Sequence, residues 1–132
     1  MDEASFLRRM VAAKPEIGML IDGWTSHSYP NPGFSGSPYA FGRGTLRTFD
    51  WELSFLQTIG ITKPLPVFIT ETGWVHSEGK TTNTSLLSPV RVGDNLKVAA
   101  NSAWMDPRIV AITPFVFNYQ GLPFDHFSWK KL

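Results

Sequence analysis

Pro66-Val-Phe-Ile-Thr-Glu-Thr-Gly-Trp74 is the stretch on which the fold turns. Val67, Phe68, Ile69 and Thr70 are all β-branched or aromatic, the composition that suits a pleated, half-buried strand. Pro66 and Gly73 punctuate its two ends. Successive side chains of a strand point to opposite faces. An unbroken strand therefore puts Val67, Ile69 and Glu71 on one face and Phe68 and Thr70 on the other. Branched apolar residues followed by a carboxylate at the C-terminal tip predict a buried strand that delivers Glu71 to a site at the strand ends.

Working outward, Thr48 to Ile59 predicts a helix with Phe49, Leu53 and Leu56 on one face, and Gly60 is suited to close it. Before that helix, Tyr29 to Arg47 is rich in Pro, Gly and Ser with interleaved aromatics, and is too long for a simple connection. Met19 to His27 predicts a strand that turns polar at its C-terminal end. Asp2 to Lys14 predicts a helix with an apolar stripe of Phe6, Leu7, Met10 and Val11, ended by Pro15. Downstream, Gly73 to Leu87 reads as a polar loop. Ser88-Pro89 then supplies an N-cap and a proline at the first helical position. The helix it starts is expected to run to about Met105, with Val92, Leu96, Ala99 and Ala103 on one face, and to stop at Asp106-Pro107. Arg108 to Phe117 predicts the last strand. Pro114 removes a ladder hydrogen bond from it, which a bulge would accommodate. The rest, to Leu132, reads as loop.

Helices and strands thus alternate, which argues for a parallel sheet with helical crossovers. The long polar and aromatic loops follow the strands, and short turns lead from helix to strand. A (β/α)8 barrel has that organisation, with its site on the C-terminal face. The expectation is an α/β fold: a partial TIM barrel in which residues 1–132 form a single partial domain. A whole barrel needs about 250 residues, so the chain is expected to be roughly half of one.

Composition narrows the function classes. The formal charge is +1, and the 12 Lys and Arg form no run, so there is no electrostatic footprint for nucleic acid. No apolar run approaches the roughly 18 residues of a membrane span. Met-Asp-Glu-Ala does not read as a signal peptide; the compartment stays open, an extracellular one included for a longer protein. With no Cys, disulfides and thiolate metal sites are excluded. His76 and His126 have no paired ligands at metal spacing and read as surface residues, so neither metal nor other cofactor is expected. The informative excess is aromatic, with Trp 5, Tyr 3 and Phe 10, many of them beside Gly, Pro, Asn and Ser.

In the first strand His27 and Tyr29 sit two apart, so both can project to the same mouth. One strand then offers a carboxylate and its neighbour a phenol able to hydrogen-bond it. Such a bond keeps a carboxylate ionised and oriented, as a nucleophile requires.

Together, His27-Ser-Tyr-Pro30 and Ile69-Thr-Glu-Thr-Gly-Trp74 resemble the clan of retaining (β/α)8-barrel glycoside hydrolases that includes cellulases and β-mannanases. Glu71-Thr-Gly-Trp74 is also similar to the nucleophile segment of β-1,3-glucanases of that clan. The resemblance covers nearly the whole chain, as strands six to eight with the helices around them, and so implies that the chain is the C-terminal portion of the barrel with the N-terminal half missing. It implies Glu71 as nucleophile at the end of strand seven and Tyr29 as the residue that orients it. His27, Trp74, Asn118 and Tyr119 would bind substrate, an oligosaccharide or polysaccharide with β-linkages. The implied reaction is double displacement, with a second carboxyl about 5–5.5 Å away that protonates the leaving oxygen and then activates water. Two departures follow. The clan's acid/base is a Glu after an Asn at the end of strand four, and this chain has no Asn-Glu. Where the clan places a Trp at the end of strand eight, this chain has Phe117-Asn118-Tyr119-Gln120. Glu78 and Asp125 lie in loops on the correct side but follow no strand closely. The isolated chain is therefore expected to be inactive. The competing readings are a non-catalytic carbohydrate-binding protein and a structural half-barrel, both of which dispense with paired carboxylates.

Overall fold

The structure is a computed structural model and describes residues 1–131. Local chemistry sets where its helices begin and end. The Asp2 carboxylate accepts the Ser5 amide at 3.1 Å and starts α1 (Glu3–Ala13). A single turn, α2 (Ile17–Leu20), follows Pro15. It leads through Ile21 to Gly23 into β1 (Trp24–His27). After the long loop comes α3 (Thr48–Thr58). There Gly60, at φ +94°, lets the Gly60 amide reach Gln57 O and the Ile61 amide reach Leu56 O. That pair of bonds satisfies two of the helix's last carbonyls and defines a Schellman end. Next is β2 (Val67–Thr72). Ser88 Oγ accepts the Arg91 amide at 3.2 Å and, with Pro89 at the first position, opens α4 (Pro89–Ala100). β3 (Ile109–Pro114) completes the sheet.

The strands run in the order β1-β2-β3, and each neighbouring pair is parallel. Helices cover one face. Phe49 and Leu53 of α3, with Trp104 beyond α4, pack on Val67, Ile69, Ile109 and Ile112. Leu7 of α1 packs with Leu56, Ile61 and Leu65 beside α3. Trp74, Leu46, Val92, Ala99 and Ala103 join α4 to the loops. Among the described residues, no helix is long and apolar enough to cross a membrane.

This is an open three-stranded α/β fold, and it corrects the expected partial TIM barrel. Val67 and Ile69 are fully buried against the helix layer. The sheet does not close on itself: β1 and β3 each pair only with β2 among the described residues.

Three elements also differ from expectation. Met19 and Leu20 lie in α2 rather than in the first strand, because the Met19 amide bonds Glu16 O in a turn straight after Pro15. The helix expected to reach Met105 stops at Ala100. Asn101 Nδ2 takes Lys97 O and Ser102 Oγ takes Val98 O, so side chains satisfy the carbonyls on which further helical turns would build. A separate 3-10 turn holds Ala103–Met105. The tail forms two more such turns, Asp125–Phe127 and Trp129–Lys131. It folds back on the end of β3, with the Trp129 amide bonding Val116 O at 2.9 Å.

Candidate active site

The position of Glu71 depends on an irregularity in β2. Ser26 pairs with Ile69, but His27 pairs with Glu71, so β2 carries one extra residue, Thr70. A bulge of this kind reverses the parity of everything beyond it. Glu71 is thereby turned away from Val67 and Ile69 onto the open face with His27, and Thr72 is turned inward and fully buried. The shared face read for Val67, Ile69 and Glu71 is corrected accordingly. The bulge sought for Pro114 proves to lie in β2. Ile69 pairs with Ile112 and Thr72 with Pro114, and the Phe115 amide then bonds Thr72 O at 2.7 Å.

Buried hydroxyls fix the neighbouring strand end. Ser26 Oγ and Ser28 Oγ lie 2.8 Å apart on the helix side. Ser28 Oγ accepts the Phe49 amide in the first turn of α3, and Ser28 O accepts Thr72 Oγ1–H at 2.7 Å. With Ser26 and Ser28 held inward, the alternation sends His27 and Tyr29 outward, towards Glu71.

There the three side chains meet. Tyr29 Oη donates to Glu71 Oε2 at 3.1 Å, and His27 Nδ1 lies 3.6 Å from the same oxygen. Burial, followed by the negative charge and hydrogen bond of Glu71, raises the Tyr29 phenol well above its usual range. Tyr29 therefore remains a proton donor throughout the neutral range. Its ring is held edge-on by Phe34 at 5.0 Å and Phe127 at 6.0 Å. Phe34 takes a left-handed backbone, φ +56°, which costs a non-glycine residue roughly 1–2 kcal/mol. The strain brings Phe34 O to the Val75 amide at 3.2 Å and the Phe34 ring edge-on to Phe127 at 5.2 Å. Strain retained beside a carboxylate is a mark of functional sites.

Glu71 and Tyr29 open onto a cavity of about 580 Å³, walled by Phe34, Val75, Leu86, Phe115, Phe124 and Phe127 and also reached by His126. That volume is in the range of small-molecule sites. Among the described residues, Glu71 is the only carboxylate lining it, and no group of His, Asp and Glu side chains is placed to hold a metal ion.

The other sequence-predicted residues lie elsewhere. Trp74 is 2% exposed, and its indole Nε1–H donates to Gly36 O at 2.8 Å. It anchors the loop over α4 and offers no ring face to a sugar. Tyr119 packs edge-on against Phe124 and lines a separate cavity with Asp125 and Lys80. Asn118 is exposed, and its Oδ1 accepts from Gln120 Nε2. Glu78 is exposed on the loop. Asp125 is buried, and the Lys80 amide at 2.6 Å holds its carboxyl below the usual range. Neither lines the Glu71 cavity. His76, read as a surface residue, is fully buried. Its Nδ1 accepts the Glu78 amide, so Nε2–H donates to Ser128 O at 3.0 Å. His126 Nδ1 donates to His76 O at 2.8 Å.

Sequence reasoning missed Glu52. It is buried under the edge of β1, where its Oε2 accepts Trp24 Nε1–H at 2.8 Å. Burial raises its carboxyl to about 7, with nearby Glu3 adding to the rise and the Trp24 and Ser26 hydrogen bonds opposing it. Helical spacing carried the signal: Glu52 stands between Phe49 and Leu56 on the apolar face of α3. Compared with protein-family models, curated proteins and solved structures, the chain matches none of them.

Proposed function

We propose that this chain carries the nucleophile of an O-glycosyl hydrolase acting on β-glycosides by retaining double displacement. The observation that carries the reading is the Tyr29–Glu71 hydrogen bond of 3.1 Å at the ends of two parallel strands, at the mouth of a ligand-sized cavity. Tyr29 and His27 both approach Oε2, which leaves Oε1 to attack the anomeric carbon. In the first step the new bond joins Glu71 Oε1 to that carbon, and the bond to the leaving oxygen breaks with its electron pair. Water then attacks the same carbon, the bond from Glu71 Oε1 breaks with its electron pair to return the carboxylate, and the proton lost by the water passes to solvent. The hydrogen bond from Tyr29 keeps Glu71 ionised and holds its orientation.

The cavity supplies no second carboxyl to protonate a leaving group, and general acid catalysis is worth about 10²–10⁴-fold. The chain alone should therefore release one equivalent of dinitrophenol from a dinitrophenyl β-glycoside in a burst and fail to turn over alkyl glycosides. Glu71→Gln should abolish the burst. Sustained turnover of an alkyl glycoside would contradict this account, as would a burst that survives Glu71→Gln. The single carboxylate also favours one second reading, a non-catalytic glycoside-binding protein, which predicts binding with no burst.

A further inference from the structure

We infer that the aromatic-walled cavity beside Glu71 is an aglycone site that selects glycosides with an aryl leaving group over oligosaccharides. This rests on the proposed role of Glu71 and names the substrate class of that same site. Four phenylalanines, Phe34, Phe115, Phe124 and Phe127, share the wall with Val75 and Leu86. The rings meet edge to face: Phe115 lies 5.3 Å from Phe124 and 5.4 Å from Phe127, at 89° and 79°. A flat aromatic guest can continue such an array, because edge-to-face contact is the arrangement that ring quadrupoles prefer.

A second sugar ring would fare badly there. Its hydroxyls need partners, and the polar side chains on the cavity are Glu71, Tyr29 and His126. The Tyr29 hydroxyl already donates to Glu71 and His126 Nδ1 to His76 O, which leaves His126 Nε2 and the lone pairs of Tyr29 and Glu71 to serve the several hydroxyls of a sugar ring. A buried hydroxyl without a partner costs about tenfold or more in affinity, whereas an aryl group loses no hydrogen bond on entering. The chemistry agrees with the shape. An aryl oxygen departs as a phenolate that keeps the bonding electron pair and takes its proton from solvent. It needs little of the acid assistance that a lone carboxylate cannot give.

The test compares the binding of phenyl and methyl β-D-glucosides and β-D-mannosides, and of cellobiose, to the full chain, followed by saturation-transfer NMR and intrinsic fluorescence. The phenyl glycosides should bind at least about tenfold more tightly than their methyl counterparts, and cellobiose no better than the methyl glycosides. Phe124→Ser and Leu86→Gln should each remove most of the phenyl advantage. Phe124 is 42% exposed, so its variant should fold, and circular dichroism checks this. The dinitrophenol burst reads the hydrolase separately. A burst with no phenyl preference overturns the aglycone site alone. Phenyl preference with no burst overturns the hydrolase and, with it, the assignment of the aryl group as a leaving group.

Discussion

Tyr29 and Glu52 show how burial gives two titratable side chains different tasks. Tyr29 is held as a donor by burial and by the charge of Glu71, and its loss should be felt in the rate of reaction at Glu71. A hydrogen bond to a charged group is worth about 1.5–3 kcal/mol. Tyr29→Phe should therefore slow covalent reaction of Glu71 on the order of ten- to a hundredfold, read as a rate constant by mass spectrometry. An unchanged rate would remove Tyr29 from the mechanism. Glu52 touches no part of the cavity, and its effect is on stability. Its folded-state pKa of about 7 lies above the ordinary value of 4.5, so the folded state prefers the protonated form. Its contribution to stability is fully present below about pH 4.5 and is lost as pH rises through about 7. Glu52→Gln should accordingly stabilise the chain on the order of 1–3 kcal/mol at pH 8, and the difference should vanish near pH 4. Urea unfolding at the two pH values measures this. The sequence disclosed the Glu71, His27 and Tyr29 grouping because all three stand at strand ends. It hid Glu52 because a lone acidic residue on a helix usually faces water.

At the scale of elements, caps and breakers were legible because they act over three or four residues. Ser88-Pro89 and Gly60 each mark a helix end that the structure keeps. The β2 bulge was not legible, since nothing local in Ile69-Thr70-Glu71 distinguishes a bulged strand from a regular one; pairing on both sides creates it. Parity therefore led Glu71 to the correct strand end but to the wrong face. Gly73 follows that bulge at φ +143°, and a Cβ there would meet Phe115 O at 2.9 Å. Gly73→Ala should cost roughly 1–3 kcal/mol and also slow reaction at Glu71, because it pushes the ends of β2 and β3 apart. Ser88→Ala should cost about 1 kcal/mol and leave that reaction unchanged, since the cap lies outside the cavity. Thermal melts paired with reaction rates separate the two. Equal effects of both variants on rate would mean that the strand ends do not position Glu71.

At the scale of the molecule, alternating strands and helices are common to an open sheet and a barrel, so closure could not be read from the alternation. What decides it is which face of the sheet the apolar residues serve. Here they serve the helix layer, and among the described residues β1 and β3 each pair only with β2, so the sheet stays open. The free edges of β1 and β3 predict self-association. Val110, the extra residue in β3, is 61% exposed. Val110→Lys should lower the weight-average mass seen by sedimentation at high concentration, whereas a wild-type chain that stays monomeric would show the edges to be protected. The central claim is that Glu71 is a nucleophile, and covalent trapping tests it most directly. The full chain is incubated with dinitrophenyl 2-deoxy-2-fluoro-β-glycosides of the gluco and manno series, and its intact mass and peptides are then measured. The account predicts one fluoroglycosyl group per chain, attached to Glu71 and absent in Glu71→Gln. Attachment at another carboxylate, or no attachment with either sugar, would contradict it.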